Sequence, residues 1–416
     1  MRQTIELSMI VKDGAPVLSR CLRSVASFVD RIVVGDTGSG DESAAIAREL
    51  GAEVIRIPWE QDFARARNRV LAERKCDWVL VLDADEMLDG AAGARIRELI
   101  EAPDVHAYDN WRWNYMKDAS MRLGYAPPRP NPVRLEEARA YPAYVPCLTT
   151  RLFRGDLGIY YEGCVHETIT NRLEALDRRT ARADFVIHHF GHAEDAEAER
   201  EKKNGLYQAL GEKKLQANPD DPQTLFEMGL AILDYARRPA IALGYFERAC
   251  ALNAQLAAGW LFAGVCLVRL GRLPEALERL ERTASLGLRN AVFYQTVGDA
   301  HFQAARYAEA RECYAQVAAL GEASPLSEAK LGACEVHMGR VAKGIERMRQ
   351  AVAEAPAFAE LYDILAAGAL LGGDLALAAE TAEARLRLGE TTEFHARLAA
   401  ILAARMQAQV EAPAVS

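Results

Sequence analysis

Paired cysteines are the first thing this sequence lacks. Its eight cysteines stand at 21, 76, 147, 164, 250, 266, 313 and 334, and none pairs at CxxC spacing. Neither a zinc site nor a disulfide framework is indicated, so free thiols in a reducing cytoplasm are the expectation. Basic charge is in deficit, with 50 Lys and Arg against 59 Asp and Glu and a net charge of -9. That argues against a generic nucleic-acid binder, which needs a basic excess to neutralise phosphates. A local basic pocket for a diphosphate stays compatible with it. Long apolar runs are also missing: none approaches the roughly 18 residues that span a bilayer. Met1-Arg2-Gln3-Thr4 shows no order of charged, apolar and small residues of the kind that marks a signal peptide.

What is present divides into two halves with different periods. A chain of 416 residues is too long for one ordinary core. From residue 4 to about 118, strand-like runs alternate with helix-like runs. Ile5 to Val11, Arg31 to Gly35, Ala52 to Ile57 and Asp77 to Leu82 read as strands. Between them, Pro16 to Val29, a segment capped by Asp41 or Ser43 and ending at Gly51, and Asp62 to Glu73 read as helices. The alternation predicts a mostly parallel, Rossmann-like α/β sheet with helices on both faces. In such sheets ligands sit beyond the carboxyl ends of the strands. The Pro-rich stretch Gly124 to Cys147 reads as a long loop over the sheet or as an inert insertion.

After about residue 200 the strand signal disappears. Gly264, Gly298, Gly332 and Ala366 recur at a spacing of 34, as do Ala276, Ala310, Gly344 and Ala378. Gly229 marks an earlier unit, displaced by one residue. A period of 34 with small residues at fixed points is the tetratricopeptide pattern of antiparallel helix pairs, and about five units fit. The expected organisation is residues 1–200 as an α/β domain and 201–410 as an all-α solenoid.

The chemistry concentrates at Asp83-Ala84-Asp85, directly after the apolar run Trp78 to Leu82. Two carboxylates at i and i+2 beyond a strand end can both turn toward one hard divalent cation, Mn²⁺ or Mg²⁺. Such a cation stabilises a departing diphosphate as a Lewis acid. Asp36 ends an earlier strand and opens the polar turn Thr37-Gly38-Ser39-Gly40-Asp41, which can approach a ligand with its backbone.

Several ordered motifs then carry a resemblance. Ser8 to Lys12, Ile32 to Asp41, Ala66-Arg67-Asn68 and Val79 to Glu86 resemble, in order, the motifs of family 2 glycosyltransferases. Arg151 to Arg154 and Gly163-Cys164-Val165-His166-Glu167 are similar to later motifs of the subgroup that carries tetratricopeptide repeats. The resemblance implies a GT-A fold, a sugar nucleotide donor (UDP-linked), a divalent metal and an inverting course. By matching position it implies donor binding by Val11, Asp36, Arg67, Asp83, Ala84 and Asp85. Lys12-Asp13-Gly14 departs from the Lys-Asn-Glu common among relatives, and Gly35 stands where many have a larger residue.

Glu167 is the candidate general base, since an inverting transfer needs a carboxylate to take the acceptor's proton and the family places it in a later motif. The competing reading makes His166-Glu167 a structural pair at a turn, with Asp109 and Glu162 as rival bases. Ile187 to His192 holds three of the eight histidines. One of His188 or His189 is expected at the site, and His188 is assigned with Asp85 to the metal. Trp111, Trp113 and Tyr115 alternate and so share a strand face, one expected in the core and another at the sugar or acceptor.

The expected function is transfer of a hexose or N-acetylhexosamine to a peptide, protein or cell-surface glycan acceptor, with the repeats recognising the acceptor or mediating self-association into a homo-oligomer. The alternative is a non-catalytic repeat adaptor with a degenerate sugar-nucleotide domain, against which intact Asp36, Asp83 and Asp85 argue. A nucleotidyltransferase also uses paired carboxylates, but it opens with a Gly-rich loop bearing a basic residue, where this chain has only Lys12-Asp13-Gly14-Ala15.

Overall fold

The computed structural model describes residues 2–117, 128–133, 135–155, 158–163, 167–194, 205, 208–216, 218–234 and 238–389. Two compact units emerge: Met1–Lys117 with Val133–Pro219, and Asp118–Pro132 with Asp220–Ser416. Along the main run of the chain the first unit extends to Pro219. Among the described residues no helix is long and apolar enough to cross a membrane.

The first unit is a mixed sheet. Its strands are β1 (Ile5–Val11), β2 (Arg31–Asp36), β3 (Glu53–Arg56), β4 (Trp78–Val81), β5 (Glu86–Leu88), β6 (Ala107–Met116), β7 (Ala143–Arg154) and β8 (Thr180–His189). They lie in the order β3-β2-β1-β4-β7-β6-β8-β5. The first four are mutually parallel. β7 then runs antiparallel to both β4 and β6, β8 parallel to β6, and β5 antiparallel to β8. Four of the seven neighbouring pairs are thus parallel, three of them among β1 to β4 and the fourth between β6 and β8. The four early strands match their predicted positions within a residue or two at each end. Gly124 to Cys147 lies partly outside the described residues, and its last part is the start of β7 rather than loop. Pro146 lies in that strand opposite Trp113 of β6, beyond the stretch Leu152–Arg154 that pairs with β4.

Helices Ala15–Val25 and Ala92–Leu99 bury Leu18, Leu22, Val25 and Ile96 against one face of the parallel strands. Helix Phe63–Ala72 buries Val70 and Leu71 against the other. Asp62 caps it by accepting the Arg65 N–H at 2.8 Å. A side chain at Gly35 would put its Cβ 2.5 Å from Ile57 and 2.6 Å from Val70. Those two branched residues fill the space that a larger residue would take in β2.

The second unit contains five helix pairs among the described residues: Pro222–Asp234 with Pro239–Leu252, Ala257–Arg269 with Leu273–Ser285, Ala291–Gln303 with Tyr307–Ala319, Pro325–His337 with Val341–Glu354, and Ala359–Leu371 with Leu375–Leu386. The small residues of the repeat mark close approach within a pair. A Cβ at Gly264 would lie 2.9 Å from Leu280, at Gly298 2.8 Å from Tyr314, and at Gly332 3.0 Å from Met348. Each partner follows sixteen residues later. At Gly229 the partner Phe246 follows seventeen later, so the one-residue displacement in the sequence is carried by the packing.

Candidate active site

The carboxyl ends of β2, β1 and β4 stand side by side, and the strand order reverses direction around β1, the position where open α/β sheets hold ligands. Val11 ends β1, and its carbonyl accepts both the N–H (2.9 Å) and the hydroxyl (3.0 Å) of Thr37. Asp36 is buried, and its Oδ1 accepts the N–H groups of Ser39 at 2.8 Å and Gly38 at 3.3 Å. Among the described residues only Oδ1 is so engaged. Asp13 accepts the Gly40 N–H at 2.7 Å, while its own N–H goes to the Ser39 hydroxyl at 3.0 Å. Asp13 therefore braces the turn after β2.

Asp41 Oδ1 accepts the N–H of Ser43, the first residue of helix Ser43–Glu49, at 3.0 Å, and both residues also reach the preceding helix. Ser43 Oγ accepts the Gly14 N–H at 2.8 Å and Asp41 Oδ2 the Ala15 N–H at 3.0 Å. The backbone donors at the start of helix Ala15–Val25 are thereby taken up by side chains.

Beyond β4 the two acidic residues part company. Asp83 is clamped: Arg67 donates to Oδ1 at 2.6 Å and Arg151 to Oδ2 at 2.9 Å. Burial alone would push this carboxyl up, but the Arg151 and Arg67 guanidiniums hold it well below the usual carboxylate range. Arg67 is itself buried in helix Phe63–Ala72, and its Nε donates to Glu167 Oε1 at 2.6 Å. Burial opposes its charge; Asp83 and Glu167 outweigh that and raise its pKa. The adjacent Asn68 exchanges two bonds with the backbone of Tyr161, at 2.9 and 2.7 Å. An isolated bridge between Glu162 and Thr168 closes the following loop, and this delivers Glu167 to Arg67. Arg67 and Asn68, side by side in sequence, so hold the two parts of one structure. The Tyr161 hydroxyl is pushed up to about 12 by burial.

Asp85 turns elsewhere. Its Oδ2 lies 3.4 Å from His189 Nε2, and its carbonyl accepts the Phe190 N–H at 3.1 Å. His188 is the residue that the sequence reading paired with Asp85, and the structure places it on the other face. There His188 Nδ1 meets the Tyr115 hydroxyl at 2.8 Å and Nε2 lies 3.8 Å from Asp89. Burial lowers its pKa, with Asp89 opposing. Successive strand residues point to opposite faces, so only one of the two histidines can face Asp85. The side chains of His166 and His192 lie outside the described residues. Among the described residues no three or more His, Cys, Asp or Glu form a group able to hold a metal ion.

Three participants carried no role in the sequence reading. Glu86 is fully buried and accepts the Asp83 N–H at 2.8 Å. Arg112 and Arg151 both lie 3.4 Å from its Oε1. Arg151 was legible in the sequence, since it opens the motif Arg151 to Arg154. Arg112 and Glu86 meet only across strands. The rival base Asp109 takes the Thr150 hydroxyl at 2.5 Å. Thr150 and Arg151 are consecutive, which puts Asp109 on the face away from Asp83. Of the aromatic stripe, Tyr115 is core, packed with Tyr141 and Phe190. Trp113 is half-buried and stacks on Tyr144 at 4.1 Å, and Trp111 lies under Arg182.

Residues 8–157 match the model of the family described as glycosyl transferase family 2. A TPR repeat-containing protein of Synechococcus elongatus is 34% identical over 232 residues, covering 54% of this chain and 51% of its own. The SPbeta prophage-derived glycosyltransferase SunS of Bacillus subtilis is 23% identical over 235 residues, covering 56% of this chain and 50% of its own. An uncharacterized glycosyltransferase of Rickettsia felis is 39% identical over 88 residues, covering 21% and 30%. The match thus spans about half or less of the length of these relatives. Among solved structures, the TPR protein YrrB is 15% identical with a TM-score of 0.35, covering 45% of this chain and 96% of that one. The chain carries a family 2 glycosyltransferase domain at its N-terminal end and tetratricopeptide-like helix pairs after it.

Proposed function

We propose that this family 2 glycosyltransferase domain is catalytically active and moves a hexose or N-acetylhexosamine from a UDP-linked sugar nucleotide to a peptide, protein or glycan acceptor. The observation that carries the reading is the division of labour after β4. Asp83 is held ionised by two guanidiniums, while Asp85 faces an imidazole nitrogen at the strand ends. A degenerate domain has no need to keep such a charged array buried.

A divalent cation fits the second half of that pair. A carboxylate oxygen and an imidazole nitrogen are donor types that suit Mn²⁺. Gly191 keeps the place clear, because a Cβ there would collide with Asp85 Oδ2 and lie 3.0 Å from His189 Nε2. Asp85 and His189 would hold the ion, which when bound neutralises charge on the leaving nucleoside diphosphate. Asp36, with Oδ1 spent on its own turn, offers Oδ2 to the nucleoside beside Val11. Arg67 orients Glu167 through Oε1; among the described residues Oε2 takes no bond and is available to receive the acceptor's proton. The repeat array, whose stacked helix pairs present an extended surface, holds the acceptor.

The test is release of UDP from a panel of UDP-sugars with Mn²⁺, in the natural chain and in Asp85→Ala. Turnover lost in the variant, together with Mn²⁺-dependent donor binding, is expected. Undiminished turnover in Asp85→Ala would refute the assignment, and silence of the natural chain across the panel would favour an adaptor.

A further inference from the structure

Asn114 sits on β6 directly beside His189 on β8 in the parallel register, and it is buried. Its amide orientation is fixed by its surroundings. Nδ2 donates to the Val145 carbonyl at 3.0 Å, which turns Oδ1 toward His189 Nδ1 at 2.7 Å. An amide oxygen can only accept, so the proton on that contact belongs to Nδ1. A neutral imidazole with its proton on Nδ1 presents a lone pair at Nε2. That nitrogen faces Asp85 Oδ2 at 3.4 Å. A cation placed between these two atoms would be held by both.

We propose that Asn114 is a positioning residue that holds His189 in the Nδ1–H tautomer, so that Nε2 and Asp85 together present a preformed seat for a divalent cation. The inference rests on the metal reading above but concerns a different residue, one that touches neither donor nor ion. It also explains why His189 rather than His188 serves. His188 meets a tyrosine hydroxyl through Nδ1, a partner that can donate or accept and so fixes no tautomer. Groups that orient a ligating histidine through its other ring nitrogen typically govern metal affinity by about 10- to 100-fold.

Two measurements test it. In metal-free natural protein labelled at its histidines, nitrogen NMR at a pH above the ordinary histidine range should show His189 protonated at Nδ1 and bare at Nε2; an Nε2–H tautomer overturns the proposal. Mn²⁺ titrated by calorimetry in the presence of UDP should bind Asn114→Leu about 10- to 100-fold more weakly. Asn114→Asp, which keeps an acceptor oxygen at the same place, should restore most of that affinity. Unchanged Mn²⁺ affinity in a folded Asn114→Leu overturns the proposal, as does failure of Asn114→Asp to restore it. If His189→Ala binds Mn²⁺ as well as the natural chain, the metal reading fails, and the tautomer measurement still decides what Asn114 does.

Discussion

Replacing Arg67 by methionine should destabilise the first unit by about 3 kcal/mol. The site balances three carboxylates, Asp83, Glu86 and Glu167, against three guanidiniums, Arg67, Arg112 and Arg151. Methionine keeps the length of the arginine stem and removes its charge. Two bonds of 2.6 Å to ionised oxygens are lost, each worth about 1.5–3 kcal/mol. Breaking a buried ion pair from one side costs about 3–5 kcal/mol, because the abandoned charge stays desolvated. The lower end applies, since Asp83 keeps Arg151 and its side chain is 30% exposed. Urea unfolding followed by tryptophan fluorescence suits the measurement, because Trp59, Trp78, Trp111 and Trp113 all belong to the first unit and only Trp260 to the second. With a urea slope of about 2–3 kcal/mol/M, the midpoint should fall by about 1 M. The interaction is isolated by a cycle with Asp83→Asn. The double variant should lose less than the sum of the two single losses, by at least about 1 kcal/mol, as for residues in direct contact. Additivity within about 0.5 kcal/mol would refute the clamp as an energetic unit.

Glu167→Gln should keep donor affinity by calorimetry, since the amide can still accept from Arg67 Nε, while turnover falls by roughly 10²- to 10⁴-fold; donor affinity lost in proportion to rate would make Glu167 a binding residue. Ala305→Gly should stabilise the repeat array by about 0.5–1 kcal/mol in far-ultraviolet circular dichroism melts. Ala305 holds φ 57° where Gly271, Gly339 and Gly373 take the same turn at φ 72°, 81° and 84°, a conformation costing a non-glycine residue about 1–2 kcal/mol, partly offset by the greater freedom of glycine in the unfolded chain. A lower melting temperature would show that the methyl group contributes packing that outweighs the strain.

Local pattern determined a great deal here. Apolar runs of four to seven residues with turn signals between them placed β1 to β4, and the carboxylates after β4 followed from position alone. The array was legible because small residues recur every 34 positions, and each is answered by a larger residue at a fixed offset: Gly264 by Leu280, Gly298 by Tyr314. Both signals are written within a few dozen residues of chain, where backbone geometry converts spacing directly into direction. Tertiary structure decided the rest. Whether His188 or His189 faces Asp85 depends on the register of β8 against β5 and β6, and a one-residue slip would exchange them. Arg67 meets Glu167 across one hundred positions and Arg112 meets Glu86 across twenty-six. Such pairings leave no local trace. Arg151 and Arg112 reach the acidic end of β4 because β7 runs antiparallel beside β4 and β6 antiparallel beside β7, while Arg67 and Glu167 meet because Asn68 binds the backbone of Tyr161; strand order is a property of the folded sheet rather than of any segment within it.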